Sequence, residues 1–518
     1  MPYPVRALRS EGTIPCAIDL RGRPVVVVGL AREGMALARY LVQQGSRVVA
    51  TDISPAIAFG DQLAPLAEAG VELALGDHPM SLLDDCEIVF VSPGVPFDAA
   101  FLDQARARGI PLSTESRLFC QLCPAPVAAI TGSSGKTTTT ALVGEMLEVS
   151  DWTPWVGGNI GQPLIERLGQ IGSGDQVVME LSSFQLEYFH PSVNSHVTDA
   201  DVALIPLLSG WSPKVAAILN ITPNHLDRHH SMEAYIHAKR AIVAYRRPGD
   251  VAVMGQDNDV TRSMGNALPG PVRWFSRRSR VPQGACLSGE GRNATVVLHR
   301  QAGEQPVCGV NDIRLRGDHN VGNVLAACTV ADALGVSIEA MRHVCAAFTG
   351  ISHRLEWVAE ITGVHYYNDS IATTPERLVA ALRSFDEPLV LLAGGRDKHL
   401  PWEEAAHLIL ERTRHVILFG EATELIARAL AVASESMAGK EGDAAKGSMP
   451  YHCATLEDAV SIAARIATPG DVVLLSPGCA SFDSFGDFAE RGERFREVVS
   501  ELEARNVVTP SPASEAGM

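Results

Sequence analysis

Apolar residues in this chain come in short β-branched runs, each followed by a longer stretch where they recur every three or four positions. Residues 24–29 (PVVVVG) predict a buried strand, a helix runs on to about residue 44, and 47–52 (RVVATD) and 87–92 (EIVFVS) predict two more strands. Residues 127–130 predict a strand that enters a glycine-rich loop and a helix over 137–149, and 177–180, 215–221 and 251–254 add further strands. Beyond a break near 348–352, the runs at 365–368, 389–393, 416–419 and 472–476 repeat the alternation. Strands alternating with helices imply parallel sheets. The expected fold is therefore α/β in three domains: a Rossmann-like domain over 1–123, a central P-loop-type ATPase domain over 124–348, and a Rossmann-like domain over 349–518. The first boundary follows the stiff sequence Cys123-Pro124-Ala125-Pro126. Residues 434–449 are small, polar and charged and read as a structureless surface insertion, and the tail from about 508 reads as disordered.

Composition narrows the function. The chain has 518 residues and a net charge of −17, which argues against a general nucleic-acid binder. There is no run of 18 apolar residues and no secretory leader pattern, so no membrane partner and a cytoplasmic location are expected. Its ten cysteines are scattered, and the pair Cys120/Cys123 lacks a second pair at zinc spacing, so they read as thiols of a reducing compartment.

The strongest chemical signal is Ile130-Thr-Gly-Ser-Ser-Gly-Lys-Thr-Thr-Thr-Thr140, a phosphate loop in which Ile130 replaces the first glycine. Gly132, Ser133, Ser134 and Gly135 can turn backbone amides towards an anion ahead of a helix. Lys136 suits β- and γ-phosphate oxygens, and Thr137 has the hydroxyl that would ligate Mg²⁺. Glu180 ends an apolar strand run, His225 lies in Asn220-Ile-Thr-Pro-Asn-His225, and Lys239 lies in a helical stretch. Taken singly, each of these three has an ordinary structural explanation. In the first domain, Gly29-Leu-Ala-Arg-Glu-Gly34 follows a strand, and Asp52 closes the next one as a ribose-binding acid would. Ala31 replaces the middle glycine of the dinucleotide pattern, which disfavours a nicotinamide dehydrogenase.

Read together, TGSSGKTTT, GGNIG (157–161), ELSSFQLE (180–187), NITPNHLDRH, GDHNVGN (317–323), HRLE (353–356), NDSIATTP (368–375), GGRDK (394–398) and SPGCASFDSFGDFAERG (476–492) resemble the Mur ligase family. They occur in family order over nearly the whole chain, and ELSSFQLE and SPGCASFDSF resemble its glutamate-adding branch. The resemblance implies ATP-dependent addition of D-glutamate to UDP-N-acetylmuramoyl-L-alanine through an acyl phosphate, for peptidoglycan precursor synthesis. It implies Mg²⁺ as cofactor, ATP and glutamate as co-substrates, and a monomer.

Residue by residue, the resemblance gives Lys136, Thr137 and Thr138 to ATP, and Thr137, Glu180, His225 and a carbamylated Lys239 to the metal. Lys136, His225 and Lys239 form its catalytic set. Asn320, Asn323, Arg354 and Asp369 fall around the nucleotide, and Asn159 contacts the muramoyl substrate. Lys398, Ser481 and Phe488 form the glutamate pocket, and Asp52 with Ser92, Pro93 and Gly94 holds UDP. Hinges near residues 124 and 349 are expected to let the outer domains close.

Some features depart from the family pattern. Ser133-Ser134 replace a common Thr-Asn, and Ile371 stands where some relatives place a lysine near the glutamate site. The segment 198–214 is longer than usual and has no assigned role. Two rival readings are the same ligation with L-glutamate and an ATPase switch that makes no amide.

Overall fold

The computed structural model describes residues 18–198, 201–315, 317–398, 400–438 and 450–508. Three sheets account for the predicted alternation. The first has five parallel strands in the order Glu72–Leu75, Arg47–Asp52, Pro24–Val28, Ile88–Val91 and Leu112–Ser113. Val26 and Val28 face one layer of helices and Val25 and Val27 the other, so every position of this strand is apolar.

The central sheet has nine strands. Its parallel part runs Pro154–Gly158, Gln176–Glu180, Val127–Thr131, Val215–Ile218, Val251–Gly255, Val272–Ser276 and Gly284–Ser288. Thr295–Arg300 and Gly303–Gly309 then extend the edge antiparallel, an addition that the apolar pattern did not predict. The C-terminal sheet has six strands in the order Glu356–Ile361, Val364–Asn368, Val472–Gly478, Leu389–Gly394, Thr413–Phe419 and Tyr451–Cys453. Only its first pair is antiparallel.

By contact the chain divides into two units. One contains residues up to Ile313 with His319–Ala346, and the other contains Arg314–Asp318 with the residues from Ala347 on. Within the first unit, the first and central sheets share one apolar core that includes Val25, Leu118, Val177 and Ala216. A polar seam runs beside it. Gln185 Nε2 donates to Glu33 Oε1 and to Ser116 Oγ, each at 2.9 Å. Asn194 exchanges two bonds with the backbone of Leu112, at 2.7 and 2.9 Å, like an extra strand residue. Arg117, fully buried, donates to the carbonyls of Tyr188 and Ser209. A hinge at residue 124 would have to open this seam.

The long segment 198–214 has a structural role. Leu204, Leu207 and Trp211 enter the shared core, Asp201 pairs with Arg23 at 2.5 Å, and Gln121 bonds the carbonyl of Pro206. Residues 434–438, expected to be structureless, instead continue the helix Thr423–Ala438. The run of small and apolar residues before them, LIARALAVA over 425–433, lets the helix propagate into the polar stretch. Residues 439–449 and the tail beyond Val508 lie outside the described residues.

Candidate functional site

In the central sheet, Val127–Thr131 has Gln176–Glu180 on one side and Val215–Ile218 on the other. The strand order reverses there, and open α/β sheets bind ligands at the carboxyl edge of such a point. The phosphate loop leaves Thr131 and enters the helix Lys136–Glu148. Gly135 adopts φ +82°, and a Cβ there would lie 2.2 Å from Asn323 Oδ1, so glycine is required for both conformation and space.

The amides of Ser133 and Ser134 are already bonded to Asn220, the first to its carbonyl and the second to its side-chain oxygen, both at 2.9 Å. Asn220 therefore braces the loop, and sequence reasoning missed it because its partners lie 86 or more residues away. Anion binding then falls to the first turn of the helix, which contains Lys136, Thr137 and Thr138.

Two lysines meet at one carbonyl. Lys136 Nζ and Lys239 Nζ each donate to the Gly132 oxygen at 3.0 Å, and Lys239 also reaches Thr131 Oγ1 at 3.2 Å. Lys239 comes from the helix Met232–Ala244 and is 1 % exposed. Burial, and then the neighbouring Lys136 charge, bring its pKa down to about 7 against the opposing pull of Glu180. Glu180 is 1 % exposed; its Oε1 accepts from Asn159 Nδ2 at 2.8 Å. Its Oε2 is buried and has no hydrogen-bond partner among the described residues.

A buried carboxylate oxygen without a partner, on the strand beside the one that enters the phosphate loop, fits Mg²⁺, which takes one or two carboxylates and completes its shell with phosphate and water. Among the described residues, no three His, Cys, Asp or Glu side chains gather into a metal cluster. His225 heads the short helix Leu226–His229 in the left-handed conformation (φ 54°), with its ring edge-on to Phe184 at 5.0 Å. Asn323 Nδ2 donates to Asn320 Oδ1 at 2.8 Å, so both predicted asparagines stand together beside Gly135.

The first sheet has its own reversal point between Pro24–Val28 and Ile88–Val91. A Cβ on Gly34 would lie 1.9 Å from the Gly29 oxygen, so helix–strand packing already requires this glycine. Asp52 accepts from the amides of Leu30 (2.7 Å) and Ser54 (2.8 Å). Burial raises its pKa, but these bonds outweigh burial and hold it below the usual carboxylate range. Ser92 Oγ donates to the Gly29 carbonyl at 2.7 Å. A central-domain residue that sequence reasoning missed, Arg228, donates to the carbonyls of Pro93, Gly94 and Val95 at 3.0–3.3 Å while lying over the Phe184 ring.

In the C-terminal unit the strands Val364–Asn368, Val472–Gly478 and Leu389–Gly394 end together. Asp369 follows the first of these strands. Burial raises its pKa to about 7, although Ser476 Oγ (2.9 Å) and the Leu355 amide (3.2 Å) bond its carboxyl. His353 and Leu355, on either side of Arg354, both have positive φ, 65° and 44°, a strained arrangement that the surrounding bonds must hold. Lys398 bonds Thr373 Oγ1 at 3.0 Å, Ser481 is buried, and Ser370 Oγ donates to the Phe488 carbonyl at 2.7 Å.

Comparison with known proteins bears on the whole chain. Residues 23–114 match the model of the Mur ligase MurD-like N-terminal domain, 130–331 the Mur ligase middle domain, and 353–479 the Mur ligase glutamate ligase domain. The UDP-N-acetylmuramoylalanine--D-glutamate ligase of Symbiobacterium thermophilum is 40% identical over 476 residues, covering 92% of this chain and 97% of the relative. The enzyme of the same name from Pelotomaculum thermopropionicum is 38% identical, covering 93% and 99%. Among solved structures, UDP-N-acetylmuramate-alanine ligase from Thermotoga maritima shares the fold, with a TM-score of 0.52 at 20% identity over 92% of this chain and 99% of that one. With three sheets in family order and identity this high along nearly its full length, the chain belongs to the Mur ligase family, whose members are ATP-dependent ligases that use Mg²⁺.

Proposed function

We propose that this protein joins D-glutamate to UDP-N-acetylmuramoyl-L-alanine at the expense of ATP, in the cytoplasm and as a monomer. The observation that supports this most is the meeting of Lys136, Lys239 and Glu180 around Gly132 and Thr131 at the carboxyl edge of the central sheet. In the first step, an oxygen of the alanyl carboxylate bonds to the γ-phosphorus and ADP leaves. In the second, the glutamate amine bonds to the acyl carbon, phosphate leaves, and the amine's proton passes to solvent or a base. The first step brings two anions together. Lys136 offsets that charge, and its position by the first turn of a helix suits phosphate oxygens. Bound Mg²⁺ would supply further charge neutralisation, held by Glu180, Thr137 and His225.

Lys239 takes part as a carbamate. As an ammonium it would repel a cation beside Glu180, whereas its buried amine, easily made neutral, can add to CO₂ with loss of a proton. The resulting carboxylate offers hard oxygen donors. Asp52, Ser92, Pro93 and Gly94 hold the UDP moiety in the domain over 1–123, and Asn159 contacts the muramoyl part. Asn320, Asn323, Arg354 and Asp369 surround the nucleotide, and Lys398, Ser481 and Phe488 receive glutamate in the domain over 349–518, with 124–348 as the ATPase domain.

The test is phosphate release, with product identified by mass, in the presence of ATP, Mg²⁺, UDP-N-acetylmuramoyl-L-alanine and either glutamate isomer. The expected result is amide product from the D-isomer, with phosphate release dependent on the muramoyl substrate. Product from L-glutamate alone would overturn the stereochemistry. ATP hydrolysis unchanged by both substrates would overturn the ligase reading.

A further inference from the structure

The turn that follows the strand Val364–Asn368 gathers three cations. Arg491, 0 % exposed, donates to Ser370 Oγ at 3.0 Å and to the Ser370 carbonyl at 2.9 Å. Arg377, in the first turn of the helix Pro375–Leu382, donates to the Ile371 carbonyl at 3.1 Å. Lys398 donates to Thr373 Oγ1 at 3.0 Å, and the Thr373 amide closes the turn onto the same Ile371 carbonyl at 2.8 Å. Four consecutive residues, Ser370 to Thr373, thus hold three positive side chains through neutral oxygens only.

Among the described residues none of the three cations is in an ion pair with a carboxylate. Two acidic groups lie near without pairing with them: Asp369 feels the Arg377 charge but bonds Ser476 and the Leu355 amide, and Asp483 favours the Arg491 charge but accepts from the Glu421 amide. Burial, then Arg377 and Arg491, depress the Lys398 pKa, as expected where like charges crowd. Arg491 is buried and fully occupied with carbonyls, so it serves the turn. Arg377 and Lys398 are exposed, on either side of that turn.

We infer that Arg377 is a substrate-binding residue that receives one carboxylate of the incoming glutamate while Lys398 receives the other, supplying the cation that Ile371 cannot. The inference rests on the ligase reading above and deepens it. Glutamate has two carboxylates, and two exposed cations, Arg377 and Lys398, bond the Ile371–Thr373 turn near enough for the charge of one to depress the pKa of the other. A guanidinium can bond a carboxylate through two parallel N–H groups, which a single ammonium cannot do.

The experiment compares wild type, Arg377→Ala, Arg377→Lys and the double variant Arg377→Ala/Ile371→Lys. Arg377 is exposed, so its loss should leave the fold intact, which circular dichroism and a melting curve check. Arg377→Ala should raise KM for D-glutamate roughly 10- to 100-fold, the range expected for a lost charge-assisted bond. KM for ATP and for the muramoyl substrate should move much less. Arg377→Lys should fall between the two, and the double variant, with a lysine restored at 371, should recover part of the loss. An unchanged KM for glutamate in Arg377→Ala would overturn the assignment, as would equal rises in all three KM values. Hydroxylamine, which traps an acyl phosphate as a hydroxamate with loss of phosphate, separates the two readings. A wild-type enzyme that gives no hydroxamate from ATP and the muramoyl substrate would refute the ligase reading and this inference with it. Hydroxamate at the normal rate alongside an unchanged glutamate KM in Arg377→Ala would refute this inference alone.

Discussion

The central and C-terminal sheets reverse their strand order in the same way, yet the chemistry gathered at the two edges differs. In the central sheet the charges have both signs and are buried: Lys136 and Lys239 share one carbonyl, and Glu180 stands close enough to oppose the depression of the Lys239 pKa. At the C-terminal edge, Arg377 and Lys398 are exposed and bond neutral oxygens, the Ile371 carbonyl and Thr373 Oγ1. A buried site with both signs can hold a cation and a polyanion together and let a lysine lose its proton. A pair of exposed cations bonded only to neutral oxygens can capture an anion from solvent. On the proposed function, one fold device would serve activation at one edge and recruitment at the other.

The comparison is broken most directly at Lys136. Lys136→Ala should cut turnover by roughly 100-fold or more, the scale of losing a major transition-state contact, with a normal circular dichroism spectrum. Near-normal ligation would remove the central edge from the chemistry. Lys239→Ala should be nearly as impaired, and a short carboxylic acid added to the assay should restore part of the rate by supplying the missing oxygens. Full activity without the acid would make Lys239 a structural residue.

The C-terminal edge is sharpened by pH. Burial holds the Asp369 pKa up to about 7, above its ordinary 3.8. The folded state therefore keeps a proton that the unfolded chain gives up, so this contribution to stability is present below about pH 4 and is lost as pH rises towards 7. Asp369→Asn cannot lose a proton, so its denaturant midpoint should fall less between pH 5 and 8 than the wild-type midpoint. The gap should be on the order of a few kcal/mol at most. Parallel curves would mean that the carboxyl is ionised in the fold throughout.

Gly135→Ala tests how tightly the central loop is built. The new Cβ meets Asn323 and the left-handed backbone resists it, at a cost of about 1–2 kcal/mol. ATP binding, measured by calorimetry, should weaken about tenfold. The smallest effect is expected at Arg396, which makes two 3.0 Å bonds to Glu421 on the exposed side of the C-terminal edge. Arg396→Ala should leave both the melting temperature and the glutamate KM near their wild-type values, because an exposed ion pair adds little.

Much of the framework was legible because the parallel strands are buried on both faces. Residues 24–28, 127–131 and 472–476 are nearly all apolar, and few other elements produce such short, continuous runs. The antiparallel extension over 284–309 was not legible. Its strands are short or mixed, Gly284–Ser288 with glycine and serine at its ends and Gly303–Gly309 mostly exposed, and its pairing depends on a sheet edge already in place. In the site, Lys136 was legible from the loop around it. Asn220, Arg228 and Arg377 were not, because their roles depend on carbonyls and amides that only folding brings near. The glycines at 29 and 34 were read towards a nucleotide, yet packing alone accounts for Gly34.

The seam between the first two sheets has a thermodynamic consequence. Gln185, Asn194 and Arg117 bond across it, and apolar side chains from both sides form one core. Unfolding either sheet alone would expose the other half of that core and strand a buried guanidinium without its carbonyls. Neither half then has a folded state of its own at low free energy. Calorimetry of this unit should record a single heat-absorption peak, and slow amide exchange in the strand Pro24–Val28 and in Val127–Thr131 should report the same opening event.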